Sequence, residues 1–164
     1  SPMDAAGAVR NADVLSYITA GNASNTFGSC YLDFTPNWSG SPIAHFSGGL
    51  RLVDSPGGGQ AIEFNVGDGV GINDLTGART GGPVYSAVKA TTAKMATAYG
   101  GSTASAALNG TASALSGFDG SMNFGVSTYI GCFNDGTKQA EGGIKNVRIW
   151  QTQLSDTTLQ HITT

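Results

Sequence analysis

Glycoside hydrolysis takes two carboxyl groups at a fixed separation, one with its pKa raised to act as the acid. The chain offers two glutamates, Glu63 and Glu141, far apart in sequence. Asp33 and Glu63 each fall on the outward face of an alternating run, which leaves a carboxylate dyad open without asking for one. Two histidines occur, His45 in a strand-like run at 43–46 and His161 near the C-terminus. Neither a Gly-x-Ser-x-Gly elbow nor a His-x-x-x-His pair accompanies them, which argues against nucleophilic hydrolysis and a transition-metal site. The chain reads as non-enzymatic, with no catalytic and no metal-ligating residues.

Binding chemistry is better represented. An aromatic ring can pack on the apolar face of a sugar while a few polar groups set its orientation. Trp38 lies in the turn-rich stretch 36–42, Tyr31 and Asp33 share the outward face of the run 29–35, and Asn134 and Asp135 follow a strand-like segment at 129–133. These five are the candidate ligand-binding residues. Trp38 has a competing role as a cap on the core under its own loop, and Trp150 reads as packing for a closing helix. No cofactor is required. Oxygen-bearing loops at Asp68-Gly69, Asn73-Asp74 and Asn134-Asp135 leave room for calcium, which takes six to eight oxygens. Asp and Asn also favour such turns for their own backbone hydrogen bonds.

Cys30 and Cys132 lack a CxxC companion, so zinc and redox chemistry are not indicated. They read as buried free thiols, with a bridge available only if their strands are neighbours. The sequons at Asn22, Asn37 and Asn109 are no more than this Asn-, Ser- and Thr-rich composition produces by chance.

The elements that must position these residues are strands. Turn signals recur throughout, from Gly21-Asn22 to Gly142-Gly143, with runs of about five to eight residues between them, the spacing of an all-β sandwich or barrel. In 29–35, Cys30, Leu32 and Phe34 face one way and Tyr31, Asp33 and Thr35 the other. In 60–66, Ile62, Phe64 and Val66 oppose Glu63. Period two with one wet face predicts antiparallel sheets on one core. A hairpin is predicted from 94–99 and 102–108 through Gly100-Gly101, followed by an Asn109-Gly110 turn. Its small side chains suit close approach of another layer or subunit. In the strand 143–150, Ile144 stands three positions before Val147, so both can point inward only across a bulge. Ser155 then makes an N-cap, with Asp156 in the first turn and Leu159 and Ile162 as an apolar pair, predicting a short helix docked on the sandwich edge.

Three stretches together resemble the concanavalin A-like lectin and glucanase superfamily, specifically laminin-G-like jelly-roll modules: GSCYLDFTP at 28–36, MATAYGGSTASAALNG at 95–110 and GGIKNVRIWQTQLSDTTL at 142–159. The first, with Ala12-Asp13-Val14-Leu15, is similar to versions in phage tail and virion proteins. The resemblance implies an all-β, two-sheet jelly roll with a short C-terminal helix, and carbohydrate or cell-surface binding as the common activity, sometimes with calcium. Members that hydrolyse glycans carry Glu-x-Asp-x-x-Glu on one strand, a pattern absent here.

Composition sets the outer limits. The 164 residues fit one domain, expected at 13–164 behind an N-terminal arm at 1–12. Charged residues make up 12% and net charge is −3, with eight scattered cations and no footprint for nucleic acid. No run approaches the ~18 apolar residues of a membrane helix. The chain opens Ser1-Pro2, which reads as a piece or processed form of something longer. The expected role is a lectin-like module of a phage tail fibre or other virion component, placed at the virion surface or outside cells. Its expected partners are a host glycan or receptor, other virion subunits and further copies of itself. The alternatives are a structural decoration or assembly domain without ligand, and a secreted bacterial adhesion module.

Overall fold

The computed structural model describes residues 15–46, 50–55, 60–64, 66–120, 122–132 and 139–164. The arm at 1–12 and both Asn134 and Asp135 lie outside the described residues. Eleven strands are described: β1 (Leu15–Ile18), β2 (Phe27–Pro36), β3 (Leu50–Asp54), β4 (Gln60–Phe64), β5 (Val70–Asp74), β6 (Gly77–Ala78), β7 (Ala93–Gly100), β8 (Thr103–Leu108), β9 (Thr111–Leu115), β10 (Ser127–Ile130) and β11 (Gly142–Trp150). Two short helices join them, α1 (Pro42–His45) and α2 (Asp156–Ile162).

The strands form two antiparallel sheets, in the orders β1-β10-β3-β4-β5-β6 and β11-β2-β7-β8-β9. Alternation fills the space between them. Leu32 and Phe34 of β2 and Met95 of β7 meet Leu50, Leu52, Ile62, Phe64, Val70 and Ile72 of the other sheet, all fully buried. The fold is an all-β jelly-roll sandwich with a short C-terminal helix. Glu63 lies between the core residues Ile62 and Phe64 and so belongs to the outer face of the six-stranded sheet. Asp33 lies on the outer face of the other sheet, between Leu32 and Phe34. With the core between them they form no hydrolytic pair. Cys30, in β2, and Cys132, just past the end of β10, are both buried and are not joined in a disulfide. Burial pushes the Cys30 thiol up to about 12, where it is inert.

Most local signals are realised, with shifts that have clear causes. Asn109 and Gly110 both take positive φ (45° and 81°) and link Leu108 to Thr111, the backbone of a type I′ hairpin. The preceding hairpin turns one residue later than expected. Gly100 pairs with Thr103, leaving Gly101 (φ 57°) and Ser102 as the turn. β4 ends at Phe64, with a 3₁₀ turn at Val66–Asp68 rather than a continued strand. The run at 43–46 is helical through His45, with only its last residue, Phe46, extended: Ser41 caps α1 by accepting from the Ala44 N–H at 3.1 Å, and Pro42 opens it with φ already set.

The bulge in β11 is present. Register shifts between Lys145 and Arg148, and Ile144, Val147 and Ile149 all pack on the core. The helix α2 forms as its cap predicts, with Ser155 Oγ accepting from the Thr158 N–H at 3.2 Å. It docks on the outer face of the five-stranded sheet, not on the edge. Leu159 is fully buried there with Tyr31, Ala96, Ala98 and Ala107. The alanine-rich strands therefore receive a layer from their own chain.

Candidate functional site

Pairing across the five-stranded sheet sets outward side chains in rows. One row runs Lys145, Asp33, Lys94; the next Arg148, Tyr31, Ala96, Ala107, Ala112; the next Trp150, Ser29, Ala98, Ser105, Ala114. The β7–β9 side of these rows is small and lies under α2. On the β11–β2 side the rows end in a cation, a phenol, a carboxylate and an indole. Between that end and α2 is a hollow of about 240 Å³ lined by Tyr31, Asn146, Arg148, Trp150, His161 and Ile162.

Each wall has a reason to be where it is. Asn146 sits in the β11 bulge at φ 53°, a left-handed conformation that Asn enters more readily than other side-chain-bearing residues. From there its Nδ2 donates to Asp33 Oδ2 at 2.7 Å. The Tyr31 hydroxyl donates to Asp33 Oδ1, so both carboxylate oxygens are held. Burial first, then this hydrogen bond and the carboxylate charge, push the Tyr31 phenol up to about 12. Asp33 therefore orients the wall. Arg148 bears electrostatically on Tyr31, yet among the described residues its guanidinium has no hydrogen bond or ion pair.

His161 and Ile162 arrive on α2, which is tied down at both ends. Ser29 Oγ donates to the Thr152 carbonyl (2.8 Å) and accepts from the Leu154 N–H (2.9 Å). Thr163 Oγ1 donates to the Leu159 carbonyl at 2.8 Å and accepts from Gly110 N–H at 3.0 Å. Lys94 Nζ donates to the Thr164 carbonyl at 2.5 Å. The hollow thus has one wall from a sheet edge and one from a pinned helix.

Of the five residues expected at a site, Tyr31 and Asp33 meet here. Trp38 does not supply the exposed platform expected of it. It is 7% exposed, stacked on His45 (4.6 Å, 9°) and edge-on to Phe46 at 5.4 Å, because the loop folds it down onto the core beside Phe34. Asn146, Arg148, Trp150 and His161 are additions that the sequence pattern does not single out as ligand-binding. The available signal for the first is the bulge itself; for Trp150 it is the aromatic ending an alternating strand.

Two of the loop carboxylates considered for calcium, Asp68 and Asp74, have other engagements. Asp68 Oδ1 accepts from the Ile43 N–H at 2.8 Å. Burial alone would raise Asp74, but Arg79 (Nε to Oδ2, 2.7 Å) and the donors of Thr76 overcome it and hold the carboxyl below its usual range. Among the described residues no three His, Cys, Asp or Glu side chains gather where they could hold a metal ion.

No protein-family model matches the chain, and no curated protein does. Solved structures do. Domain 4 of AbnA, a GH43 extracellular arabinanase from Geobacillus stearothermophilus in complex with arabinotriose, aligns at TM-score 0.56 and 16% identity, over 87% of this chain and 68% of that one. The CBM40 of the Ruminococcus gnavus IT-sialidase, bound to α2,3 sialyllactose, aligns at 0.55 and 13%, over 85% and 83%. The NanB sialidase of Streptococcus pneumoniae aligns at 0.56 and 12%, over 92% of this chain but 27% of the enzyme, so the chain spans about a quarter of that protein. These likenesses show a shared fold, the two-sheet antiparallel β-sandwich.

Proposed function

We propose that the chain is a non-enzymatic carbohydrate-binding module, and that the hollow between β11 and α2 is where the sugar sits. The observation that carries this reading is the joining of an indole and a phenol to Asn146, Arg148 and His161 around one small cavity. A volume of about 240 Å³ lies below the ~300 Å³ lower end of small-molecule sites. That suits one sugar residue better than a long chain. The CBM40 bound to sialyllactose and the arabinanase domain bound to arabinotriose lend the same fold to sugar binding. Among the described residues no carboxylate lines the cavity, and Asp33 behind its wall has both oxygens engaged, which favours binding over hydrolysis. The stretches at 28–36 and 142–159 extend the proposal to a laminin-G-like module of a phage tail fibre or virion, displayed outside the cell toward a host glycan.

The test is a glycan array probed with the purified chain, repeated with a chelator and with Trp150→Leu, which keeps an apolar contact for α2 but removes the aromatic plane. Binding should weaken by about 1–3 kcal/mol in the variant and persist in the chelator. Unchanged binding in Trp150→Leu would remove the hollow as the site.

A second reading, an assembly domain, is favoured by the apolar side chains at one end of the β1–β10 pair. Ile18 is 71% and Val126 79% exposed, more than an isolated domain gains from. Self-association that Ile18→Ser abolishes, with no glycan bound, would favour that role.

A further inference from the structure

The geometry points to an acidic sugar as the ligand: a carboxylate or sulfate ester seated on Arg148, with the ring carrying it against Trp150. The inference rests on the carbohydrate-binding reading and narrows its substrate class.

Three observations converge. First, Arg148 borders a walled cavity with its guanidinium unengaged among the described residues. Arginine's planar fork matches a carboxylate or sulfate with two parallel hydrogen bonds, and such bonds are about twice as strong as neutral ones. Second, the nearest carboxylate does not satisfy it. Asp33 stands in the adjacent row and spends its oxygens on Tyr31 and Asn146 instead. Third, the local charge is inverted relative to the whole. The chain carries −3, yet the open end of this face presents Lys145 and Arg148 against Asp33 alone, with His161 on the opposite wall. An excess of cations on an acidic protein draws anions to that spot and turns other surfaces away from them.

Asp33 also supplies discrimination. Its charge repels an acid group placed on the Asn146 side of the hollow, so the anion must approach from the Arg148 side. The sugar ring then lies toward Trp150, the next outward residue along β11. Cation, indole and carboxylate together fix the orientation of one terminal acidic residue.

The experiment is a glycan array of matched pairs, each acidic glycan printed beside its neutral counterpart. Sialylated, uronate and sulfated glycans are paired with desialylated, carboxyl-reduced and desulfated forms. Acidic members should bind about tenfold or more better than their partners. The carboxylate pairs and sulfate pairs distinguish the two sources of charge. Titration calorimetry on the best pair then compares Arg148→Gln, Arg148→Lys and Lys89→Gln, a remote exposed cation, with folding checked by circular dichroism. Arg148→Gln should bring the acidic-to-neutral ratio close to one, Arg148→Lys should fall between, and Lys89→Gln should match the native chain. Added salt should weaken acidic binding and leave neutral binding alone. Neutral glycans bound as well as acidic ones, or a ratio indifferent to Arg148→Gln, would overturn the inference while sugar binding stands. No glycan bound on the array would overturn both.

Discussion

On the five-stranded sheet, one outward face carries two populations of side chain. From β7 to β9 the rows read Ala96, Ala107, Ala112 and Ala98, Ser105, Ala114; from β11 to β2 they read Arg148, Tyr31 and Trp150, Ser29. The backbone is the same and the pairing continuous, so side-chain size alone decides what covers each half. Alanine lets α2 come close enough for Leu159 to be fully buried. The bulky, charged half cannot admit a helix, and the step between the two is the hollow. The lesson is that the covered half builds the open one: without alanines under α2 there is no second wall.

The most damaging change loosens the covered half. Leu159→Ala removes the one fully buried side chain of α2 and should cost about 2–5 kcal/mol. Chemical denaturation should read that loss, and hydrogen exchange should show α2 opening while β2 and β7 stay protected. Equal loss of protection in both sheets would mean that α2 is integral to the core rather than laid on it. Ala107→Leu attacks the same seat from below. Overpacking should cost about 1–3 kcal/mol and displace His161 and Ile162 from the hollow. A variant of unchanged stability would show that the seat is loosely packed.

Much of the sandwich was legible because its causes are local. Cys30, Leu32 and Phe34 alternate with Tyr31 and Asp33 within one strand, and the mismatch of Ile144 with Val147 could be resolved only by a bulge. Ser155 and Asp156 announce α2 within four residues. Ser41-Pro42 announces α1 equally well, but the apolar residues after it suggested a strand. The site was legible only in half. Asn146 and Asp33 are 113 residues apart, joined by β11 pairing with β2, and strand alternation carries no information about which strands pair. Trp38 stays open between an exposed platform and a cap on the core for a related reason: a loop tryptophan folds inward or outward according to the space beneath it, here the ledge of Phe34 and His45.

The open half is best probed at its bulge. Asn146 holds a positive φ and a hydrogen bond to Asp33, and two substitutions separate these roles. Asn146→Gly keeps the backbone and removes only the side chain. Asn146→Ala removes the side chain and adds left-handed strain, about 1 kcal/mol. Thermal unfolding should rank native, Gly and Ala in falling stability, while both variants release Asp33 equally. Should Ala match Gly, the bulge has relaxed to another conformation, and the wall that Asn146 supplies is not fixed by its backbone.

The smallest effect concerns Tyr31, where the two halves touch. Its phenol is pushed up to about 12, by burial first and by Asp33 second. A folded-state pKa above the unfolded value of ~10 means the protonated form is favoured on folding. The stability linked to Tyr31 is then complete below pH ~10 and lost as pH rises toward about 12. Asp33→Asn removes the charge and weakens the hydrogen bond but leaves the burial. Ultraviolet titration of the native chain minus Tyr31→Phe isolates this phenol, and the same difference in the Asp33→Asn background should show it ionising earlier, though still above an exposed tyrosine. A shift all the way to the exposed value would make Asp33 the dominant cause and α2 a poor shield. No shift at all would make burial under α2 the whole cause, and Tyr31 would then belong to the covered half rather than to the boundary.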